Sequence, residues 1–248
     1  MKKRFGQHFL ADPNILGVIE RLAELGPEDV VLEIGPGQGV LTRYLAERVR
    51  QVHSVEIDRE LEPELRDLAA NVDVVFGDAL RLELPQDATK LVANLPYNVA
   101  TPLVVESLAG LPNLNLWCVM VQREVADRFF AEPGTKDYGA VSVLVQLATE
   151  KVGFHPVSRT VFRPPPNVDS ALVAFRRTEL PAEFGHVKNV VAASFAHRRK
   201  TLPNSLALAG LASRECAAEA LATLGRSPDA RAEALAPAEF LALAEALR

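Results

Sequence analysis

The sequence predicts an α/β protein: a mostly parallel sheet with an antiparallel edge, followed by a small all-helical C-terminal domain. Three observations carry this. Short apolar runs alternate with helix-period segments over the first two thirds, which implies parallel strands covered by helices. A glycine-rich turn follows the first of those runs directly. The composition changes at Thr178–Phe184, after which only helical spacing remains. In chain order, a first helix starts after Asp12, with Asp12 as N-cap and Pro13 in the first position. Val30–Gly35, Gln51–Ile57, Val72–Gly77, Lys90–Asn94 and Leu116–Gln122 read as strands, bounded by Gly, Pro, Asn or Asp. Leu41–Val49, Arg59–Ala70 and Thr101–Leu108 have helical spacing between them. Ser142–Thr149 and Ser170–Arg176 read as two further strands, an antiparallel pair closing the edge. Val187–Ala196, Arg214–Leu224 and Pro237–Leu247 form the helical part. The expected domains are 1–180 and 181–248.

The chain has 248 residues, 48% hydrophobic and 24% charged, enough for a sizeable core without staples. No stretch approaches the roughly 18 apolar residues of a membrane span. The N-terminal MKKRFGQHFL lacks the apolar segment of a secretory signal. A cytoplasmic protein is expected. The two cysteines, Cys118 and Cys216, have no metal-ligand spacing and read as buried thiols; no metal is expected.

Net charge is −5, unevenly spread. Residues 1–150 carry 14 Lys+Arg against 23 Asp+Glu; residues 151–214 carry 10 against 3. Phe184 to Arg214 holds no acid and includes Arg198, Arg199 and Lys200. A second basic cluster is Lys2, Lys3 and Arg4. An acidic body with basic segments fits a polyanionic partner, or equally a solvated helix face.

Val30 to Gly39 (VVLEIGPGQG) is a strand entering a glycine turn, at the strand end where open α/β sheets bind ligands. Gly35 and Gly37 allow close backbone approach. A dinucleotide fingerprint needs Gly at position 40, which is Val, and there is no phosphate-loop lysine. Glu56 ends the next strand, where a carboxylate accepts from ribose hydroxyls. Asp78 ends the third, placed for an adenine amine. A glycine loop, a ribose acid and a base acid describe an adenosyl ligand without pyrophosphate, and S-adenosylmethionine fits best.

Asn94-Leu95-Pro96-Tyr97 follows the fourth strand. The exocyclic nitrogen of adenine is a poor nucleophile because the ring delocalises its lone pair. Two acceptors aimed at its N–H groups, the Asn94 side-chain oxygen and the Leu95 carbonyl, localise that pair. Pro96 fixes the turn, and the Tyr97 ring stacks on the base. Catalysis is then largely positioning, and no general base is nominated.

These residues resemble the rRNA adenine N6,N6-dimethyltransferase family across nearly the whole chain. KRFGQHFL, LEIGPGQGVLT, VEID, GDAL, NLPYN, VFRPPPNVDS (161–170) and FAHRRKTLPNSL (195–206) occur in the family's order. The resemblance implies a Rossmann-like methyltransferase sheet with an N-terminal cofactor lid and an RNA-binding helical domain. It implies cofactor contacts at His8, Leu10, Gly35, Glu56, Asp78 and Asn94. Tyr97 and Phe162 match the aromatic pair that sandwiches the target adenine, and Arg198, Arg199 and Lys200 a basic RNA contact. Many relatives carry Asn where this chain has His8. The PPPxVDS and RRKT-x-x-NSL forms point to the housekeeping branch that dimethylates two adjacent adenosines of small-subunit rRNA. The implied partner is therefore that rRNA in a ribosomal subunit or assembly intermediate, with a role in subunit maturation and a monomeric enzyme. The alternatives are a large-subunit enzyme of the macrolide-resistance type and a non-catalytic assembly factor.

Overall fold

A computed structural model describes residues 8–248. The chain divides into two compact units: residues 1–126 with 150–177, and residues 127–149 with 178–248. The split after residue 177 lies close to the 180/181 boundary read from composition. The composition gave no sign that the internal segment 127–149 joins the C-terminal helices.

The first unit is built on a seven-stranded sheet. Its strands are β2 (Val30–Ile34), β3 (Gln51–Glu56), β4 (Val72–Phe76), β5 (Lys90–Asn94), β6 (Leu116–Gln122), β7 (Thr149–Val157) and β9 (Ser170–Arg177), in the order β4-β3-β2-β5-β6-β9-β7. Strands β2 to β6 pair in parallel, and β9 runs antiparallel to β6 from Leu116↔Arg176 to Gln122↔Ser170. The central strands are largely apolar because both faces are covered: all five residues of β2 are buried, whereas the edge strand β4 alternates between half-buried and exposed. A two-stranded piece lies apart, where β1 (Phe9–Leu10) pairs antiparallel with β8 (Phe162–Arg163).

The helices α1 (Asn14–Ala23), α2 (Val40–Ala46) and α3 (Ala100–Gly110) follow the expected spacing. Asp12 is not the N-cap of the first: Pro13 takes that position, and Asp12, one residue earlier, accepts from Asn14 N through Oδ1 at 2.9 Å. One face of α1, including Ile15, Leu16, Ile19 and Ala23, enters a core cluster shared with Val31, Val52, Cys118, Met120 and Leu172.

Two expected elements differ. Arg59–Ala70 is not a helix: only a single 3-10 turn, Arg59–Leu61, forms, capped by the Asp58 carboxylate on Glu60 N at 3.0 Å. Pro63 explains this, since it removes a backbone donor and its ring clashes within a helix. Ser142–Thr149 is not a strand but most of the helix α5 (Ala140–Ala148), started by Ser142 Oγ accepting from Gly139 N at 3.0 Å. Its residues are buried on more than one side, which erased the helical period and left a β-branched run. The edge strand that run was read as starts at Thr149 instead.

The second unit joins α5 with α6 (Phe184–Phe195), α7 (Leu202–Leu208), α8 (Arg214–Thr223) and α9 (Pro237–Ala246). Short α4 (Arg123–Phe129) carries the chain out of the first unit. Tyr138 is fully buried, edge-on to Phe195 at 6.0 Å, and donates to Leu235 O at 2.8 Å. Cys118 is buried, with its thiol pushed up to about 12 by burial, whereas Cys216 is exposed. Cys216 sits in the first turn of α8, where its N–H donates to Ser213 Oγ, so the expectation of two buried thiols holds for one.

Candidate cofactor and base pocket

The ends of β2, β3, β4 and β5 open onto one pocket in the first unit. It is lined by His8, Leu10, Gly35, Gly37, Glu56, Asp78, Asn94, Leu95, Pro96 and Tyr97 among others. Every expected cofactor position therefore reaches a single cavity, and so does the whole Asn94–Tyr97 turn.

The glycine turn has positive φ at Gly35, Gly37 and Gly39. At Gly37 the reason is visible: a Cβ there would stand 2.9 Å from the Phe9 ring. The β1–β8 pair thus lays Phe9 against the turn. Gly39 instead starts α2, beside Arg43.

Glu56 is 4% exposed, and burial raises its pKa against the pull of three backbone donors, Asp58, Gly37 and Ile57. Two of these hydrogen bonds run from Gly37 N to Oε2 at 3.1 Å and from Asp58 N to Oε1 at 2.9 Å. Each oxygen keeps a further lone pair for a ligand hydroxyl. Asp78 is held by Leu80 N on Oδ1 at 3.0 Å and by Arg81 on Oδ2 at 3.4 Å. Three apolar side chains on this rim, Val40, Ile57 and Leu80, are unusually open, at 39%, 48% and 41% exposure. Apolar surface facing a pocket between two anchored carboxylates fits a planar base flanked by ribose and amine.

Asn94 donates through Nδ2 to the His8 carbonyl at 3.2 Å, which commits its N–H side and leaves Oδ1 as acceptor. Leu95 is pinned by its N–H on Met120 O at 3.0 Å. The Pro96 carbonyl accepts from Val99 N and Ala100 N, both at 3.1 Å, so the turn runs straight into α3. The half-buried Tyr97 has a phenol pKa raised by burial, and its hydroxyl shares a 2.7 Å hydrogen bond with Ser170 Oγ. The His8 ring stacks on Tyr97 with centroids 6.0 Å apart and donates from Nδ1 to Pro164 O at 2.7 Å.

Phe162 does not join this site. It is 2% exposed, lies in the core cluster with Leu10 and Leu172, and is absent from the pocket wall. Its strand β8 pairs Phe162 with Leu10, which turns the ring inward, so the second wall of an adenine sandwich is not Phe162 in this structure.

The basic assignments divide as well. Lys2, Lys3 and Arg4 lie outside the described residues. Arg198 is a staple within the second unit: it donates to Tyr138 O at 2.9 Å and Lys136 O at 3.3 Å, and pairs with Glu233 at 3.5 Å. Arg199 and Lys200 are exposed. No cluster of three metal-ligating side chains occurs among the described residues, and no helix among them is long and apolar enough to cross a membrane.

Sequence reasoning overlooked Glu33, which lines the same pocket. It is fully buried, and its carboxyl is pushed up to about 7 by burial. Thr42 Oγ1 and Ser54 Oγ both donate to its Oε2, at 2.7 and 2.9 Å. An acid inside the apolar run Val30–Ile34 was the available signal. Ser170 and Phe9 were also missed, because their roles depend on pairings across more than 25 positions of chain.

Known proteins resemble this chain along nearly its whole length. A family model described as ribosomal RNA adenine dimethylase matches residues 1–248. Ribosomal RNA small subunit methyltransferase A of Rubrobacter xylanophilus is 51% identical, covering 98% of this chain and 93% of that protein. The protein of that name from Streptococcus pneumoniae is 45% identical, covering 100% and 92%. Among solved structures, a dimethyladenosine transferase from Plasmodium falciparum superposes with TM-score 0.79 at 28% identity, covering 95% of this chain and 96% of that one. The 23S rRNA methyltransferase ErmE gives 0.66 at 32%, covering 96% and 99%. With a full-length family match, two near full-length relatives and a pocket holding the family's motifs, the chain belongs to the ribosomal RNA adenine dimethylase family.

Proposed function

We propose that this enzyme transfers methyl groups from S-adenosylmethionine to N6 of two adjacent adenosines in the 3′-terminal hairpin loop of small-subunit rRNA, giving N6,N6-dimethyladenosine. The observation that carries this is the Asn94–Tyr97 turn in the same pocket as Glu56 and Asp78.

When bound, S-adenosylmethionine supplies an electrophilic methyl group on a sulfonium. Glu56 holds the ribose hydroxyls, Asp78 holds the adenine amine of the adenosyl group, and Ile57 and Leu80 cover its ring. The target base rests on Tyr97, whose phenol is steadied by Ser170. Base–aromatic stacking of this kind contributes about 1–3 kcal/mol. Asn94 Oδ1 and the Leu95 carbonyl accept from the two N6–H groups and turn the lone pair toward the methyl. With the cofactor bound, these two acceptors would aim the N6 lone pair at the methyl carbon, whose bond to sulfur the new C–N bond would replace, and the proton shed by N6 would pass to water. The second transfer runs with one N–H left to hold, so one of the two acceptors is then unused. Loop adenosines are already partly unstacked, which lowers the cost of extrusion.

The small subunit is favoured over the large one by relatives at 51% and 45% identity with that name, against 32% for the large-subunit enzyme. A cytoplasmic role in small-subunit biogenesis, as a monomer, completes the reading. The test is labelled S-adenosylmethionine with unmethylated small-subunit particles and, separately, large-subunit rRNA, followed by nucleoside quantification. Dimethyladenosine from the small subunit alone is expected. Product only from large-subunit RNA moves the enzyme to the resistance branch, and cofactor binding without product leaves an assembly role.

A further inference from the structure

Contacts lead outward from Tyr97 along the first unit. Its hydroxyl bonds Ser170, and the preceding Asp169 is held twice: its carbonyl by Arg123 N and its carboxylate by Arg159 N, both at 3.0 Å. The Arg123 guanidinium lies 4.8 Å from the centroid of the Phe154 ring on β7. Lys151 Nζ lies 4.8 Å from the same centroid. One ring thus gathers two cations, closer together than a Debye length of about 10 Å at 0.1 M salt. Both are exposed, as are Arg159 and Arg163 in the segment that follows β7. Lys151 has no ion pair among the described residues. The acid beside it, Glu150, points to the other face of the strand by the two-residue alternation of β structure. Lys151, on the edge strand β7, and Arg123, at the start of α4, meet at the same ring, so an anion seated beside it is attracted by both charges.

We propose that Lys151, Arg123 and Phe154 form a phosphate site on the methyl-transfer unit itself, taking the backbone of the RNA strand that leaves the target adenosine. The site rests on the rRNA reading above and adds to it a contact outside the basic C-terminal segment. Phosphate contacts of this kind set register and carry no sequence information, which suits an enzyme that must present two neighbouring adenosines in turn.

The test measures affinity for an RNA hairpin carrying the two adenosines, as a function of salt. Lys151→Glu is compared with Arg50→Glu, an equal charge change at an exposed residue before β3, at the opposite end of the strands from the pocket. Lys151→Glu is expected to weaken binding about fivefold or more at 0.1 M salt and to flatten the salt slope by about 0.7–0.9. Arg50→Glu should change neither. Phe154→Leu keeps both charges, and should lose part of the affinity with the slope intact. Cofactor affinity, measured by calorimetry, stays at the wild-type value in all three if they are folded. Lys151→Glu behaving like Arg50→Glu would overturn the phosphate site. Failure of the wild type to form dimethyladenosine would overturn the reaction instead, leaving the binding result to decide the site.

Discussion

Replacing Glu33 by Gln should remove a pH dependence of stability that the wild type carries. The carboxyl is raised from 4.5 to about 7 by burial. Its neutral form is therefore the one the fold prefers. That contribution is whole below pH 4.5, where the unfolded chain is protonated too. It is lost as pH rises through about 7, because the unfolded chain releases the proton first. At about 1.4 kcal/mol per pH unit, the interval is worth about 3 kcal/mol. Glutamine keeps an amide oxygen for Thr42 and Ser54 and does not titrate. Urea unfolding of both proteins at pH 5, 6, 7 and 8 isolates the effect, since every other titrating group cancels in the difference. The variant should gain on the wild type steadily up to pH 7 and then level off. A difference that is constant with pH, or that grows in favour of the wild type, refutes the buried neutral acid.

The other tests concern binding and transfer. Glu56→Ala should raise the cofactor dissociation constant at least about tenfold, through loss of charge-assisted hydrogen bonds worth about 1.5–3 kcal/mol each; an unchanged constant by calorimetry removes Glu56 from the ribose. Tyr97→Ala should leave that constant alone and slow single-turnover methylation by about 1–3 kcal/mol of lost stacking, while Tyr97→Phe, which loses only the Ser170 bond, should slow it less. Arg198→Ala should lower the melting temperature without flattening the salt slope of RNA binding, and Arg199→Ala should do the reverse. Equal slopes for the two variants would mean that Arg198 also meets phosphate.

What could be read from the sequence is what depends on neighbours in the chain. The five parallel strands lie within a residue of their expected ends, because each is a short run rich in apolar or β-branched residues that stops at a turn. Gly35, Glu56, Asp78 and Asn94 could be found because a parallel sheet brings successive strand ends to one edge. Phe162 was misplaced for the opposite reason. Its inward orientation is set by pairing with Leu10, more than 150 positions away, and nothing local encodes that. Arg198 stood in a run of three basic residues that looked uniform. Only the fold shows that its partners are carbonyls of the 136–138 loop and Glu233. Ser142–Thr149 misled because burial on several sides hides the helical period.

The strap across the pocket has a consequence for the order of events at synthesis. His8 is tied to Pro164, and Phe9 and Leu10 to Arg163 and Phe162, so the pocket wall made by residues 8–10 is held in place by residues 162–164. At a synthesis rate of about 5–20 residues per second, β2 to β5 are available seconds before that wall can close. The glycine turn and both carboxylates are thus assembled early on an open face, and a nascent chain has a half-built pocket until β8 emerges. An enzyme of ribosomal RNA completes its own pocket only after two thirds of its chain have left a ribosome.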